Sequence, residues 1–580
     1  MRQRHIMSSV DNWFSPASRD DWVTVVEKML HSAAPDSLIR YDEDGLTIDA
    51  LYDSGTAKLA GDMASSVRRL SHDPAQRVAY GWDIRQPLHI NGDVKAVNRS
   101  LLDDVHQGAT SLWLHADGAE SYDFAGLFDG IILPAVGVHF DSGANTYLLV
   151  EKFITYLDGD LSKADLHAGF DPFVAEGTAD PDAIMAAGYA LAKRAKGHMP
   201  TSVFSVNGWH WHNKGVTAVN EMAIILSSVA DILRNAMAAE IAPATIASLI
   251  EVTIALPANI YAGLAKCRAV RHGWAGIMAG LGLDPDKYRL RLHAAPSLRM
   301  FSLLDQDVNI LRSTTALLGG ALGNADALTG FAHDILTGES ARGRRLARMT
   351  QLLMIEESGI AQAIDPAGGS GFIEARTDDL ARTAWSVFQM LESQGGASAC
   401  YKDGVFANFA RDGKASSENA LSTGKTRMLG VTVQPDMSPV ADMVTDGWCA
   451  DELAIARPAQ IIEAFRRKAE IKQPRVICLL PSGNLDKASE RLKAQSDQLC
   501  TIGGLSAMTL ICSDDCAGDI RAAKPDMVIY IGNSLDEIAD LRAAISADMP
   551  DIRYVAAADI TGATPLIGAL ELLIGGQADA

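Results

Sequence analysis

From Ala79 onward, short apolar runs alternate with longer stretches of helical periodicity, and the alternation persists for about 340 residues. Ser111–His115 (SLWLH), Gly130–Pro134 (GIILP), Ser202–Val206 (SVFSV) and Leu290–His293 (LRLH) read as buried strands. Between them, Ala218–Ala238 carries Met222, Ile225, Val229, Ile232 and Leu233 at helical spacing. Strands that alternate with helices imply a parallel sheet with helices packed outside it. At this length a (β/α)8 barrel with insertions is expected rather than a small open sheet.

A second α/β pattern lies near the C-terminus. Residues 412–425 (DGKASSENALSTGK) are polar and read as a loop or the start of a linker, and a helix is expected over Pro458–Ile471. Arg475–Leu480 (RVICLL), Asp526–Ile531 (DMVIYI) and Arg553–Ala557 (RYVAA) then look like strands, each followed by helical periodicity. About 105 residues in this form suit a flavodoxin-like unit, whose ligands sit at the C-terminal ends of the strands. The expected organisation is an N-terminal helical or extended segment over 1–75, a TIM barrel over 76–420, a linker over 421–472 and the flavodoxin-type unit over 473–580. In the first of these only an amphipathic stretch around Asp21–Ala33 can be placed.

Charge narrows the function classes. The 51 Lys and Arg against 72 Asp and Glu leave a formal net charge of −21, which repels polyanions, because nucleic-acid affinity comes from cations that neutralise phosphates. The most apolar stretch, near Leu249–Ala265, is broken by Glu251 and Pro257, whereas a membrane span needs about 20 nearly uncharged residues. The opening MRQRHIMSSVDNWF is positive but has no apolar run behind it, so no secretory signal is expected. Seven scattered cysteines without a C-x-x-C pattern suit a reduced, cytoplasmic protein. The pair Cys512/Cys516 reads as buried thiols rather than a metal pair.

Several segments resemble the methylmalonyl-CoA mutase family, in the family's order. They are Gly81–Gln86 (GWDIRQ), Asn207–Gly215 (NGWHWHNKG), Asp305–Gly320 (DQDVNILRSTTALLGG), Met349–Gly359 (MTQLLMIEESG) and Ile364–Glu374 (IDPAGGSGFIE). Leu380–Leu391 and Gln394–Gly396 continue the last of these, and the whole resemblance spans roughly residues 75–435. It implies carbon-skeleton isomerisation between succinyl-CoA and (R)-methylmalonyl-CoA through radicals from adenosylcobalamin, for which the protein positions cofactor and substrate and excludes water. The C-terminal unit falls where the family keeps its cobalamin domain.

Measured against that pattern, the chain has lost chemistry in separate places. Catalytic members present Asp-x-His-x-x-Gly after the first strand of the cobalamin domain, with the imidazole on cobalt and the Asp fixing its tautomer. Here the corresponding Pro481–Glu490 has no histidine, and all 14 histidines lie at or before His333. Asn533 replaces a serine, and the glycine pair expected near Val555–Asp559 is missing. In the barrel, Pro87 stands where the family has a tyrosine, and proline has neither a hydroxyl nor a free φ. Asp165–Gly177 contains no Arg to clamp a substrate carboxylate, and Ala327–Phe331 has lost a further histidine.

These losses resemble the small, beta-type subunits of the family, which pair with a catalytic large subunit. The resemblance then implies no catalytic residue in this chain, no cofactor or metal bound by it, and adenosylcobalamin on the large-subunit partner of a heterodimer. Arg85, His210, Arg291 and His293 fit family positions and are the candidates for a vestigial acyl-CoA pocket. Two other readings stay open: an active acyl-CoA mutase that binds cobalamin without a histidine, and a chaperone-like protein that docks on a mutase. His212 reads as a polar loop residue. The Gly-rich TIGG and GGSG runs read as tight turns, since neither has the spacing of a phosphate loop. The basic run Arg342–Arg348 (RGRRLAR) reads as a solvated helix face, with an acidic partner surface as the alternative.

Overall fold

After a short antiparallel pair, β1 (Arg40–Tyr41) and β2 (Thr47–Ile48), eight parallel strands close into a barrel. This is seen in a computed structural model that describes residues 17–31, 34–52, 81–90, 93–116, 122–174, 180–195, 202–444, 447–449, 454–482, 486–561 and 564–574. The barrel strands are β3 (Asp83–Ile90), β4 (Ser111–Ala116), β5 (Gly137–Phe140), β6 (Asp165–Phe170), β7 (Ser202–Asn207), β8 (Ile250–Leu256), β9 (Arg291–Pro296) and β10 (Ala327–Thr329). They follow one another round the ring, and β10 pairs with β3 through Thr329↔Arg85 to close it. Closure leaves no free edge, and the strands are buried on both faces, so their sequences are short and largely apolar. Among the outer helices, Ala218–Ala238 has the bounds expected from its periodicity.

One barrel irregularity has a single-residue cause. The pairing of β6 with β7 shifts register between His167 and Phe170. Gly169 inside that step has φ +70, and a Cβ built on it would lie 1.8 Å from the Phe140 carbonyl oxygen. Only glycine tolerates both conditions. Gly169→Ala is expected to destabilise the chain by about 2–4 kcal/mol, read as a fall in the urea midpoint; an unchanged midpoint would contradict this account of the bulge.

The C-terminal unit is a four-stranded parallel sheet of β11 (Val476–Leu480), β12 (Ala507–Ile511), β13 (Met527–Tyr530) and β14 (Arg553–Ala556), ordered β12-β11-β13-β14. That is the doubly wound order 2-1-3-4, as in flavodoxin-like folds. The helix Gln460–Lys472 leads into it and fastens it to the barrel. Its Glu463 is buried, pairs with both Arg457 guanidinium nitrogens at 2.8 and 2.9 Å, and accepts the Leu303 N–H at 2.9 Å.

The N-terminal pair is clasped to the barrel by three consecutive acids. Asp42 pairs with Arg376, Glu43 pairs with Arg299 at 2.8 Å, and Asp44 accepts the Val219 N–H at the start of the helix Ala218–Ala238. Burial pushes the Asp44 carboxyl up to about 6. The preceding helix Arg19–Met29 begins with a Ser18/Asp21 capping box but buries none of its residues.

Several expectations need correction. Gly130–Pro134 is not a strand: Gly130 has φ +79, Ile132 is 71% exposed, and the strand is the less apolar Gly137–Phe140 that follows. Its His139 faces the barrel interior, so the hydrophobic signal sat on the wrong segment. Residues 412–425 are helical as far as Ser422, because Phe406, Ala410, Gly413 and Leu421 of the helix Val405–Ser422 are buried at helical spacing. The basic run is only half solvated: Arg344 and Arg348 turn inward and both pair with the buried Asp104. The segment MRQRHIMSSVDNWF lies outside the described residues. Among the described residues no helix is long and apolar enough to cross a membrane.

Candidate functional site at the barrel mouth

Ionisable side chains fill the barrel axis. Arg85 on β3 reaches across to Glu251 on β8, donating from one nitrogen at 2.6 Å and from the other at 3.1 Å. His139 and His167 occupy paired positions on β5 and β6, so their rings stack at 3.5 Å with 22° between planes. Each Nδ1 lies 3.7 Å from one Glu251 oxygen. His293 on β9 sits between the hydroxyls of Thr253, at 3.2 Å, and Thr329, at 2.8 Å. Burial, reinforced by the Arg85 charge, holds His139, His167 and His293 well below the usual histidine pKa. The three rings are therefore neutral at pH 7.

His139, His167 and Glu251 have the composition of a metal-ligand set. Their geometry opposes it. Lone pairs of stacked imidazoles run nearly parallel, so one ion could not lie in the plane of both rings without their turning. Both Glu251 oxygens are already committed to Arg85. The arrangement is a buried ion pair with a ring stack against it.

A second polar group lies at the C-terminal ends of the strands, where barrel enzymes place their chemistry. His210, in the short helix Gly208–Asn213 after β7, contacts the Asp141 carboxylate through Nε2 at 3.1 Å. The Asn207 side chain donates to the same carboxylate at 3.0 Å, and the Asp141 carbonyl meets His115 Nδ1 at 2.8 Å. Burial works to raise the Asp141 carboxyl, but the charge and hydrogen bond of His210 outweigh it and hold it low. Asp171 shows the opposite balance. Burial pushes it up to about 6, although it accepts the Phe173 and Asn207 N–H groups. His212 is not a loop residue but a buried helical one, contacting Ser297 at 3.0 Å and Glu221 at 3.1 Å.

Above the axis the mouth is closed by aromatic rings. Trp113 of β4 meets Trp448 at 4.4 Å between ring centroids, Trp209 at 5.5 Å and the His293 ring at 4.8 Å. Phe331 stacks on Trp209 at 5.4 Å, and Trp448 also approaches His115 at 5.2 Å. Trp448 comes from outside the barrel, in the segment expected as linker, and is 3% exposed. A cavity of about 270 Å3 beside it is lined by Leu88, His89, Val97, Glu339 and Arg344, which is below the roughly 300–1,000 Å3 of drug-sized ligand sites.

The four residues expected at a vestigial pocket do not converge on one cavity. Arg85 and His293 belong to the axial cluster, and Arg291, at the start of β9, adds its charge to that of Arg85 in holding His167 low. His210 belongs to the group with Asp141 at the mouth. Glu251, Asp141 and Trp448 were missed by the sequence reading. Glu251 carried a usable signal, since a carboxylate inside an apolar strand needs a buried partner; Asp141 and Trp448 carried none.

Comparison with known proteins follows the same lines. Residues 119–443 match the family model described as methylmalonyl-CoA mutase. The chain belongs to the methylmalonyl-CoA mutase family. A protein of Streptomyces virginiae named methylmalonyl-CoA mutase small subunit is 30% identical over 448 residues, covering 73% of this chain and 71% of that protein. A Mycobacterium bovis protein named probable methylmalonyl-CoA mutase small subunit is 28% identical over 501 residues, covering 82% of this chain and 80% of its own. The mitochondrial methylmalonyl-CoA mutase of Bos taurus is 24% identical, covering 71% of this chain and 60% of its own. Against this family background, Pro87 lies within β3, its carbonyl accepting from Arg344 at 3.0 Å.

Proposed function

We propose that this chain is the small subunit of a heterodimeric, adenosylcobalamin-dependent methylmalonyl-CoA mutase, a cytoplasmic protein that does not itself catalyse and that pairs with a catalytic large subunit. The observation that carries the reading is the occupied barrel. A substrate threading this mouth would have to displace Trp448, Trp113, Trp209 and Phe331 and then break the Arg85–Glu251 pair. Removing one partner of a buried pair costs about 3–5 kcal/mol, so the filled axis is a poor acyl-CoA site.

The C-terminal sheet supports the same reading. Residues 334–580 contain no histidine to meet cobalt. Asp486, in the segment where the family's cobalt-ligand loop falls, caps the next helix by accepting the Ser489 N–H at 2.8 Å. These residues do not fit a cobalamin ligand set. The helix Arg19–Met29, with no buried residue, suits a segment that packs on a partner, because isolated helices of this length are marginal in water. Within the 1–75 segment, the helix Arg19–Met29 is accordingly the part assigned to wrapping the large subunit, whereas Asp42, Glu43 and Asp44 hold their stretch to this chain's own barrel.

The test is purification alone and in company. Alone with adenosylcobalamin, the chain is expected to retain no corrinoid absorbance after gel filtration and to show no turnover of succinyl-CoA. Co-expressed with a large subunit, it is expected to elute as a stable one-to-one complex. A bound chromophore with turnover by the chain alone would sink the reading in favour of an active mutase. Transient association released by nucleotide or cofactor would sink it in favour of a docking chaperone.

A further inference from the structure

The C-terminal sheet ends on one side in an unguarded strand. β12 (Ala507–Ile511) pairs with β11, through Cys478↔Thr509 and its neighbours, and no described strand lies beyond it. Cys512 donates its N–H to the Leu480 carbonyl at 2.9 Å. Backbone direction alternates along a strand, so Met508 and Leu510 also turn their N–H and C=O toward β11, and Ala507, Thr509 and Ile511 turn theirs outward. Apolar side chains flank this open edge on both faces. Ile511, on the Cys478 side, is 61% exposed, and Met508, on the Ile477 side, is 53% exposed. Soluble proteins blunt such edges with charges, proline or a bulge. Gly503–Ser513 has neither a charge nor a proline, and β12 meets β11 without a register shift. The opposite edge is protected. β14 carries Arg553, whose guanidinium donates to the Leu572 and Leu573 carbonyls, and Arg542 lies 5.4 Å from the centre of the Tyr554 ring.

What fits an open edge of this kind is the same edge turned about a two-fold axis, and the fit can be checked residue by residue. Antiparallel pairing centred on Thr509 puts Thr509 opposite Thr509, Ala507 opposite Ile511 and Met508 opposite Leu510. The three residues with outward backbone groups, Ala507, Thr509 and Ile511, then form the hydrogen-bonded pairs, each exchanging both N–H and C=O. A two-fold axis normal to the sheet keeps each face on its own side, so Ile511 covers Ala507 and Met508 covers Leu510. The nearest acids do not meet. Continuing the register sets Asp514 against Gly504 and Asp515 against Gly503, whereas like charges directly opposite would resist pairing. Because β14 is guarded, the contact closes at two copies rather than running on as a filament.

We propose that β12 is a self-pairing edge, through which two copies of this chain join antiparallel about Thr509 into one eight-stranded sheet. The inference does not draw on the small-subunit reading. One strand of 5 residues is a small contact between chains that each carry a net charge of −21. The dimer is therefore weak, with a dissociation constant on the order of 10 µM, and it tightens as salt screens the acids. Sedimentation velocity of the full chain from about 1 to about 100 µM, which brackets that value, tests it. Thr509→Pro removes an outward N–H and no bond to β11, a place where an edge strand tolerates proline. It is expected to stay monomeric at every concentration with unchanged thermal unfolding. Met508→Lys/Ile511→Lys should do the same. Met237→Lys, at a residue 51% exposed on the helix Ala218–Ala238, should dimerise as wild type. Thr509→Cys lies on the two-fold axis, so oxidised glutathione should link it to its copy as a covalent dimer. Wild type should link far less, since the register sets Cys512 against Ser506. A wild-type chain monomeric throughout, its edge covered by another segment or left to another partner, overturns the proposal. So does a Thr509→Pro chain that dimerises as tightly, a Met237→Lys chain that does not dimerise, or a Thr509→Cys chain that links no more than wild type. The small-subunit reading is untouched by any of these results.

Discussion

Arg85→Met should cost the chain about 3–5 kcal/mol of folding stability, because it leaves the Glu251 carboxylate buried without its cation. The nearest replacements are the Nδ1 atoms of His139 and His167, each 3.7 Å away on neutral rings. Arg85→Met/Glu251→Met should recover much of the loss, since apolar side chains of similar volume can replace a buried pair at little cost. Urea midpoints of wild type, both single variants and the double close the cycle. A single variant as stable as wild type, or a double no better than Arg85→Met, would rule out the pair as the core of the axis. Should Arg85→Met fail to fold, the double variant still reports, because its recovery is the expected result.

Acidification should unfold the protein steeply. Five histidines have their pKa lowered on folding: His139, His167 and His293 well below the usual value, His212 below it, and His272 to about 4. Burial is the leading cause for each. A depressed histidine contributes stability that is complete above the unfolded pKa near 6.5 and is lost as pH falls below it, because the unfolded chain then takes up protons that the folded chain refuses. For His272 that loss continues to about pH 4. Asp44 and Asp171, pushed up to about 6, act in the opposite sense and gain relative stability as they protonate. Asp104 and Glu339, also raised by burial, act in the same sense as these two, so the balance is at most about three protons, or on the order of 4 kcal/mol per pH unit between about pH 6 and 5. Chemical denaturation at stepped pH measures the slope. His139→Leu should reduce it by roughly one proton, and a flat profile across this interval would contradict the buried-histidine account.

Much of the architecture was legible because period and length are local properties. The helix Ala218–Ala238 and the strands at Ser111, Ser202 and Arg553 lie where apolar spacing places them. The strand Gly137–Phe140 was not legible, because its inward side chain is a histidine and the flanking GIILP run outscored it in hydrophobicity. The helix Val405–Ser422 was hidden for a related reason. Its polar run DGKASSENALS reads as a loop, and only packing against the barrel shows that Gly413 meets the Gly215 carbonyl and Leu421 is buried.

The basic run teaches the same lesson at finer scale. Sequence shows four arginines within seven residues, but helical phase about the barrel divides them. Arg344 and Arg348 turn in to Asp104, while Arg342 and Arg345 stay out. A buried structural pair and a solvated pair are thus drawn from one segment.

By itself the sequence determined the barrel, the second α/β unit and the absences: no histidine beyond residue 333, and proline at position 87. An absence is complete in the sequence, since no folding can supply a side chain that is not there. Only the tertiary structure decided what fills the space. Glu251 meets Arg85 from 166 positions away, and Trp448 closes a mouth built by strands more than a hundred residues earlier. Those contacts depend on chain closure that no local pattern encodes.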